Sequence, residues 1–132
     1  MQPTPPMLVS TVVYAKDIQR VAEFYKRTLA LSVLEGEPGF IVLGNDDIEI
    51  AIVKIPTAIA QSIQIEMPPR TREETPVKCS YLVSDFDLVR AEALATVGSM
   101  KPVETAWHWR GQLHLDGCDP EGNVVQFRTR NS

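Results

Sequence analysis

Apolar and polar positions change period several times along the chain, and each change marks an element. Residues 8–14 are β-branched and apolar, as a strand requires. Asp17 then offers a carboxylate to the unpaired N–H groups of a first helical turn. Ile18, Val21, Ala22, Tyr25 and Leu29 follow at helical spacing, which predicts a helix over 18–29 with one apolar stripe. Three extended pieces come next, at 32–37, 40–43 and 48–55. Glu37-Pro38-Gly39 separates the first two. Gly44-Asn45-Asp46-Asp47 reads as a hairpin turn whose Gly and Asn tolerate left-handed dihedrals. In the third piece Ile48, Ile50 and Ile52 alternate with Glu49, Ala51 and Val53, so the two sets face opposite sides.

Residues 56–76 break this regularity. Pro56, Pro68, Pro69 and Pro76 each lack an N–H and restrict the residue before them. The segment reads as a connection with a short strand at 62–66 and a solvated charged loop at 70–74. The earlier pattern then returns. Residues 77–83 are strand-like, and Ser84 or Asp85 caps a helix with Asp87 near its positive end. Phe86, Val89, Ala93, Leu94 and Val97 form its stripe, and Gly98 terminates it. Extended segments follow at 103–109, 112–115 and 124–129. Before the last of them, Asp119-Pro120-Glu121-Gly122-Asn123 forms a tight turn with glycine where positive φ is needed.

Asp17 and Asp85, Val21 and Val89, and Leu29 and Val97 share one shift of 68 residues. The chain is therefore read as a duplicated β-α-β-β-β unit: an α+β fold with one domain at 8–130, behind a short extended tail at 1–7. Module one covers about 8–66, the connecting segment about 56–76 and module two about 77–130. Helices cover one face of each curved mixed sheet, and the other faces are left to enclose a cleft.

Charge and composition narrow the partners. The net charge is −4 and no basic run is present, which argues against nucleic acid. No stretch approaches the roughly 18 apolar residues of a membrane span, and residues 1–6 lack the layout of a signal peptide. Cys79 and Cys118 have no metal or redox spacing and read as free thiols in a cytoplasmic protein.

Alternation nominates the cleft-facing side chains. Val125 and Phe127 go under the helix, so Gln126 and Arg128 face in, as do Gln112 and His114 on the preceding strand. Ser10, Val12 and Tyr14 face in from the first strand, and Cys79, Tyr81 and Val83 from its counterpart. Tyr14, Tyr81, Trp107, Trp109, Gln126 and Arg128 are the candidate ligand-binding residues, and Glu49 and His114 the candidate catalytic ones. His114 is either a general base or a strand histidine bonded to a neighbour. Trp107 and Trp109 offer stacking walls to a flat or cationic ligand, or an anchor for a dimer partner. Arg128 has the planar fork to clamp an anion, or forms a surface ion pair. Cys79 is a nucleophile where a base or positive field lowers its pKa, and otherwise a small buried apolar group.

Val13-Tyr14-Ala15-Lys16-Asp17 leading to Phe24-Tyr25 and Leu29, then Val83-Ser84-Asp85, then 119–127, resembles the vicinal oxygen chelate superfamily. That group contains glyoxalase I, extradiol dioxygenases, fosfomycin-modifying enzymes and bleomycin-binding resistance proteins. The resemblance implies paired βαβββ modules, frequent homodimers and, in its metalloenzymes, a divalent ion held by His, Glu or Gln on the first and last strands of each half. The matching positions are Ser10, Ala51 (Glu49 if the register slips), Cys79 (Lys78 if it slips) and Gln126. Ser10, Ala51, Cys79 and Gln126 are poor donors for a hard or borderline ion; the set with Glu49 is better but lacks histidine. Three functions stay open. One is a metal-independent small-molecule binding protein. Another is a lyase, isomerase or ring-cleaving enzyme with a nonstandard metal site of Glu49, His114 and Gln126. The third is a structural or regulatory dimer with a vestigial cleft.

Overall fold

The structure, a computed structural model, describes residues 9–130; the tail expected at 1–7 lies outside them. The first half comprises β1 (Val9–Ala15), α1 (Ile18–Thr28), β2 (Ser32–Glu37), β3 (Phe40–Gly44) and β4 (Ile48–Lys54). A short helix α2 (Thr57–Ala60) opens the connection. The second half comprises β5 (Cys79–Leu82), α3 (Phe86–Ala95), β6 (Ser99–Met100), β7 (Trp107–Trp109), β8 (Gln112–Cys118) and β9 (Val124–Thr129). The sheets run β1-β4-β3-β2 and β5-β9-β8-β6, with β7 also pairing on β8. In each sheet the first strand lies parallel to the last. The same strand order twice makes the expected duplication visible as topology.

Both long helices start as their sequences require. Asp17 accepts the Arg20 N–H at 3.1 Å, and Asp85 accepts those of Asp87 at 2.6 Å and Leu88 at 3.3 Å. The α1 stripe is buried through Ile18, Val21, Ala22 and Tyr25, joined by Phe24. On α3, Phe86, Val89 and Ala93 are buried, but Leu94 points to solvent, against its expected place in the stripe. Beyond α3 the left-handed residue is Val97, at φ 69°, and not the expected glycine. Gly98 is needed for space instead: a Cβ there would stand 2.3 Å from the Phe24 ring and 2.7 Å from the Cys118 carbonyl.

Three other local expectations are corrected. No strand forms at 62–66: Pro56 presets a helical entry, its carbonyl accepts the N–H groups of Ile59 and Ala60 of α2, and the Ser62 and Ile63 N–H groups that would begin a ladder go back to the Ile59 and Ala60 carbonyls. Pro102 has the same effect on the second half, where a 3₁₀ turn (Val103–Thr105) interrupts the expected strand before β7. The hairpin after β3 closes without positive φ: the Asn45 side chain accepts the N–H groups of Asp47 at 2.8 Å and Ile48 at 3.0 Å. The turn at 119–123 is as expected, with Gly122 at φ 84°.

Buried residues of both halves form one cluster, and α1 joins them. Arg27 pairs with Glu92 of α3 at 2.6 Å. The Tyr25 hydroxyl donates to Asp119 at 2.8 Å. The fully buried Asp119 also accepts the backbone N–H groups of Glu121 and Asn123 and the Asn123 amide. Glu121, also buried, accepts the backbone N–H groups of Lys16 and Asp17, both at 2.8 Å. Arg72 is no free loop residue: its guanidinium grips the Glu121 carbonyl, and its backbone bridges to Asn123. The turn that reads as a simple reversal is thus the clasp between the halves.

Candidate functional site

Pairing registers define which side chains share a face. On the first sheet Ser10 lies beside Glu49, Val12 beside Ala51 and Tyr14 beside Val53, all on the side away from the isoleucines of the core. On the second sheet Ser80 lies beside Gln126 and Leu82 beside Arg128. Cys79 and Tyr81 lie beside Val125 and Phe127, on the helix side. This overturns the expectation that Cys79, Tyr81 and Val83 share a face with Gln126 and Arg128. The signal was in the chain: a shift of 68 places Lys78 opposite Ser10 and Ser80 opposite Val12, whereas Cys79 is one residue out.

That parity creates a site between the halves. A cavity of about 710 Å³ runs along the edge of β1, from Thr11 to Tyr14, and against Cys79, Tyr81 and Val124. Ile59 and Ile63 cover it from the connecting segment, with Arg72 and Glu74 also on its wall. Its walls are mainly aliphatic and aromatic. Tyr14, 59% exposed, stands at its border, while Tyr81 is partly buried. Burial pushes the Tyr81 phenol well above its ordinary pKa; the Cys79 thiol beside it pushes further, and a bond to Thr11 pulls weakly the other way. The phenol is therefore a neutral hydrogen-bond donor and acceptor throughout the physiological range.

The remaining expected site residues gather elsewhere. On the helix-free face of the second sheet, Trp107 pairs with His114 and Trp109 with Gln112, and His114 pairs with Arg128 across the next strand. His114 is 2% exposed, stacked on Trp107 at 5.6 Å and flanked by Trp109 at the same distance. Its Nδ1 lies 3.1 Å from the Gln112 carbonyl. Glu49 is on the other sheet, where it accepts the Ser10 hydroxyl at 3.3 Å. The structure thus brings Tyr14 and Tyr81 together at the cavity and Trp107, Trp109, Gln126 and Arg128 together on the open face. The connecting-segment residues Ile59, Ile63, Arg72 and Glu74 were missed as cavity residues, because no periodicity carries that segment.

No family model matches the chain, and no curated protein matches its sequence. Solved structures do match its fold. A glyoxalase/bleomycin resistance protein/dioxygenase family enzyme from Burkholderia phytofirmans PsJN superposes with a TM-score of 0.65 at 15% identity, over 91% of this chain and 95% of that one. A glyoxalase/bleomycin resistance protein from Albidiferax ferrireducens T118 gives 0.65 at 16% identity, over 95% and 99%. A lactoylglutathione lyase from Agrobacterium tumefaciens gives 0.60 at 20% identity, over 96% and 95%. The chain has the vicinal oxygen chelate fold.

The positions that hold a metal in the vicinal oxygen chelate metalloenzymes can be tested here for donor chemistry. Ser10 is a neutral hydroxyl bonded to Glu49, Ala51 has no donor atom, Cys79 is turned to the helix side, and Lys78, which the register puts in its place, is a cation paired with Asp116. Gln126 is engaged at both ends of its amide: it accepts from Ser80 at 2.6 Å and donates to Asp116 at 3.4 Å. No group of three or more His, Cys, Asp or Glu converges as a metal site among the described residues. This set does not fit a divalent ion, which calls for convergent imidazoles or carboxylates.

Proposed function

We propose that the protein binds a small organic molecule without a metal, in the cavity between its two halves. The observation that carries this reading is the 710 Å³ space bordered by Thr11, Tyr14, Cys79 and Tyr81. Its volume and mainly apolar walls match those of ligand sites, which add a few polar groups for orientation. Tyr81 supplies such a group in neutral form, and Tyr14 closes the mouth. The donor set supports the metal-independent reading over a lyase or dioxygenase with a nonstandard ligand set, since both of those reactions use the ion as a Lewis acid or oxygen site.

We also infer a cytoplasmic homodimer. Two free thiols support the compartment, and no described helix is long and apolar enough to cross a membrane. Exposed Val9, Val33 and Leu34 on strands of the first sheet support association. Sedimentation showing a monomer at tens of micromolar would remove the dimer without touching the cavity.

The cavity can be tested through its own thiol. Cys79 is partly exposed, whereas Cys118 is buried. Compounds that raise the melting temperature in a thermal-shift screen should slow alkylation of Cys79 by iodoacetamide at least several-fold. Tyr14→Ala should weaken those hits. Hits that leave the alkylation rate unchanged would place the ligand elsewhere. Stoichiometric metal in chelator-free protein would overturn metal independence.

A further inference from the structure

The wall of the cavity between the halves is uneven in a way that selects among ligands. Val12, Ile55, Ile59, Ile63, Val77 and Val125 give it a branched aliphatic character. Val12 and Ile59 are each 56% exposed and Val77 is 69% exposed. Much of this apolar surface therefore meets water until something covers it. The stretch of β1 beside it, from Thr11 to Tyr14, is about 10 Å long at ordinary strand rise. That is room for an extended aliphatic chain.

The charged groups of the wall are Arg72 and Glu74, both from the connecting segment. Arg72 is anchored through its backbone, whose N–H donates to the Gly122 carbonyl at 2.7 Å beside the bridge to Asn123. Its side chain is anchored as well: Nε and Nη2 donate to the Glu121 carbonyl at 3.0 and 2.9 Å. Both bonds use one edge of the guanidinium and fix its plane. The two N–H groups of Nη1 and the second of Nη2 have no protein acceptor among the described residues. No described carboxylate lies within ion-pair distance of it. The acids of the neighbouring turn are engaged elsewhere, Asp119 by Tyr25 and its own turn, Glu121 by the start of α1. A guanidinium held in plane, with the end of its fork open, is pre-organised for the two oxygens of a carboxylate.

We propose that the ligand of this cavity is a medium-chain aliphatic monocarboxylate, with its oxygens on the open end of Arg72 and its chain along the aliphatic wall. This rests on the cavity being the ligand site, and it adds the chemical class of what enters. Glu74, on the same wall, disfavours a second negative charge on the ligand.

The test measures how hexanoate, octanoate, 1-octanol and octylamine slow alkylation of Cys79 by iodoacetamide in the full chain. Octanoate should protect at the lowest concentration. 1-Octanol and octylamine should each need about tenfold more, the scale of one charge-assisted pair. Hexanoate should also need about tenfold more, for two fewer buried CH₂ groups. Arg72→Gln, whose amide still reaches for the Glu121 carbonyl, should weaken octanoate by about tenfold and leave 1-octanol unchanged. Glu74→Gln should tighten octanoate by about twofold, because an exposed like charge is removed. Octanoate that fails to protect, 1-octanol or octylamine that protects as well, or full octanoate affinity in a folded Arg72→Gln protein would each overturn the proposal. So would weaker octanoate binding in Glu74→Gln. Equal protection by 1-octanol would remove the carboxylate and keep the cavity, whereas alkylation untouched by every compound of the series and by every thermal-shift hit would remove both. Should Arg72→Gln fail to fold, the four-compound comparison on the unchanged chain decides by itself.

Discussion

Two tyrosines, Tyr25 buried and Tyr81 half-buried, show how single residues tie this chain to pH. Burial pushes the Tyr25 phenol well above its ordinary pKa, and the adjacent Asp119 carboxylate pushes it further. Tyr81 is raised by burial and by Cys79. A raised pKa means that the folded state holds its proton more tightly than the unfolded chain. Their contribution is therefore complete below the unfolded value of about 10 and is lost as pH climbs above it. Stability followed by urea titration should be level in this respect up to about pH 9 and fall steeply beyond 10. The fall should be shallower in Tyr25→Phe, because one of the two linked protons is gone. At pH 7 the same variant should lose about 1–2 kcal/mol, since it deletes the 2.8 Å bond to a buried carboxylate. An alkaline limb of unchanged slope in Tyr25→Phe would show that its phenol is not what titrates. Tyr25 was legible from sequence only as a stripe residue; nothing in a 3.6-residue period says that a hydroxyl will meet an aspartate 94 positions on.

The end of α3 is an element-scale contradiction between two adjacent residues. Val97 occupies φ 69°, a conformation that a β-branched side chain adopts at a cost, whereas Gly98 sits at negative φ against Phe24. Sequence reasoning assigns the left-handed position to the glycine, because helix stops are read from chain chemistry alone and the crowding by Phe24 comes from another element. Opposite outcomes are expected from neighbouring substitutions. Val97→Gly should stabilise by about 0.5–1 kcal/mol, as relief of the backbone strain outweighs removal of the valine methyls from their half-buried place. Gly98→Ala should destabilise by about 1–3 kcal/mol or more, because Phe24 and the Cys118 carbonyl must both move. Thermal melts of the two variants check this directly, and a destabilised Val97→Gly would show that the valine packing outweighs its backbone strain. The strands teach a related lesson. Alternation places Gln126 and Arg128 on the correct face because Val125 and Phe127 are unambiguous, but β5 has no such contrast: Cys79, Ser80 and Tyr81 are all partly buried. There only the 68-residue repeat carries the register, and matching by chemical likeness shifts it by one.

At the scale of the molecule, the duplication was the part most open to sequence reading, because each half repeats local signals in the same order. The joint between halves was not, since it is built from residues far apart in the chain. The cavity inherits that difficulty, drawing on β1, β5 and the proline-rich connection at once. Asp119 is the test of how the joint works. It is fully buried and satisfies a hydroxyl of the first half together with three N–H groups of its own turn. That turn also presents Glu121 to the start of α1. Asp119→Ala leaves those donors without their acceptor, at about 1–3 kcal/mol for each buried one that stays unpaired. The loss should be about 3 kcal/mol or more and the melting temperature lower by on the order of 10 °C. Because one hydrophobic cluster spans both halves, the transition should remain single: a clasp between two parts of one cooperative unit lowers the midpoint of the whole. Two resolved transitions in the calorimeter, with one at the original temperature, would mean that each half is stable by itself and that the turn merely tethers them. The cavity, lined by β1 and β5 together, would then rest on a tether and not on a packed joint, and ligand binding there should be lost when the halves are separated.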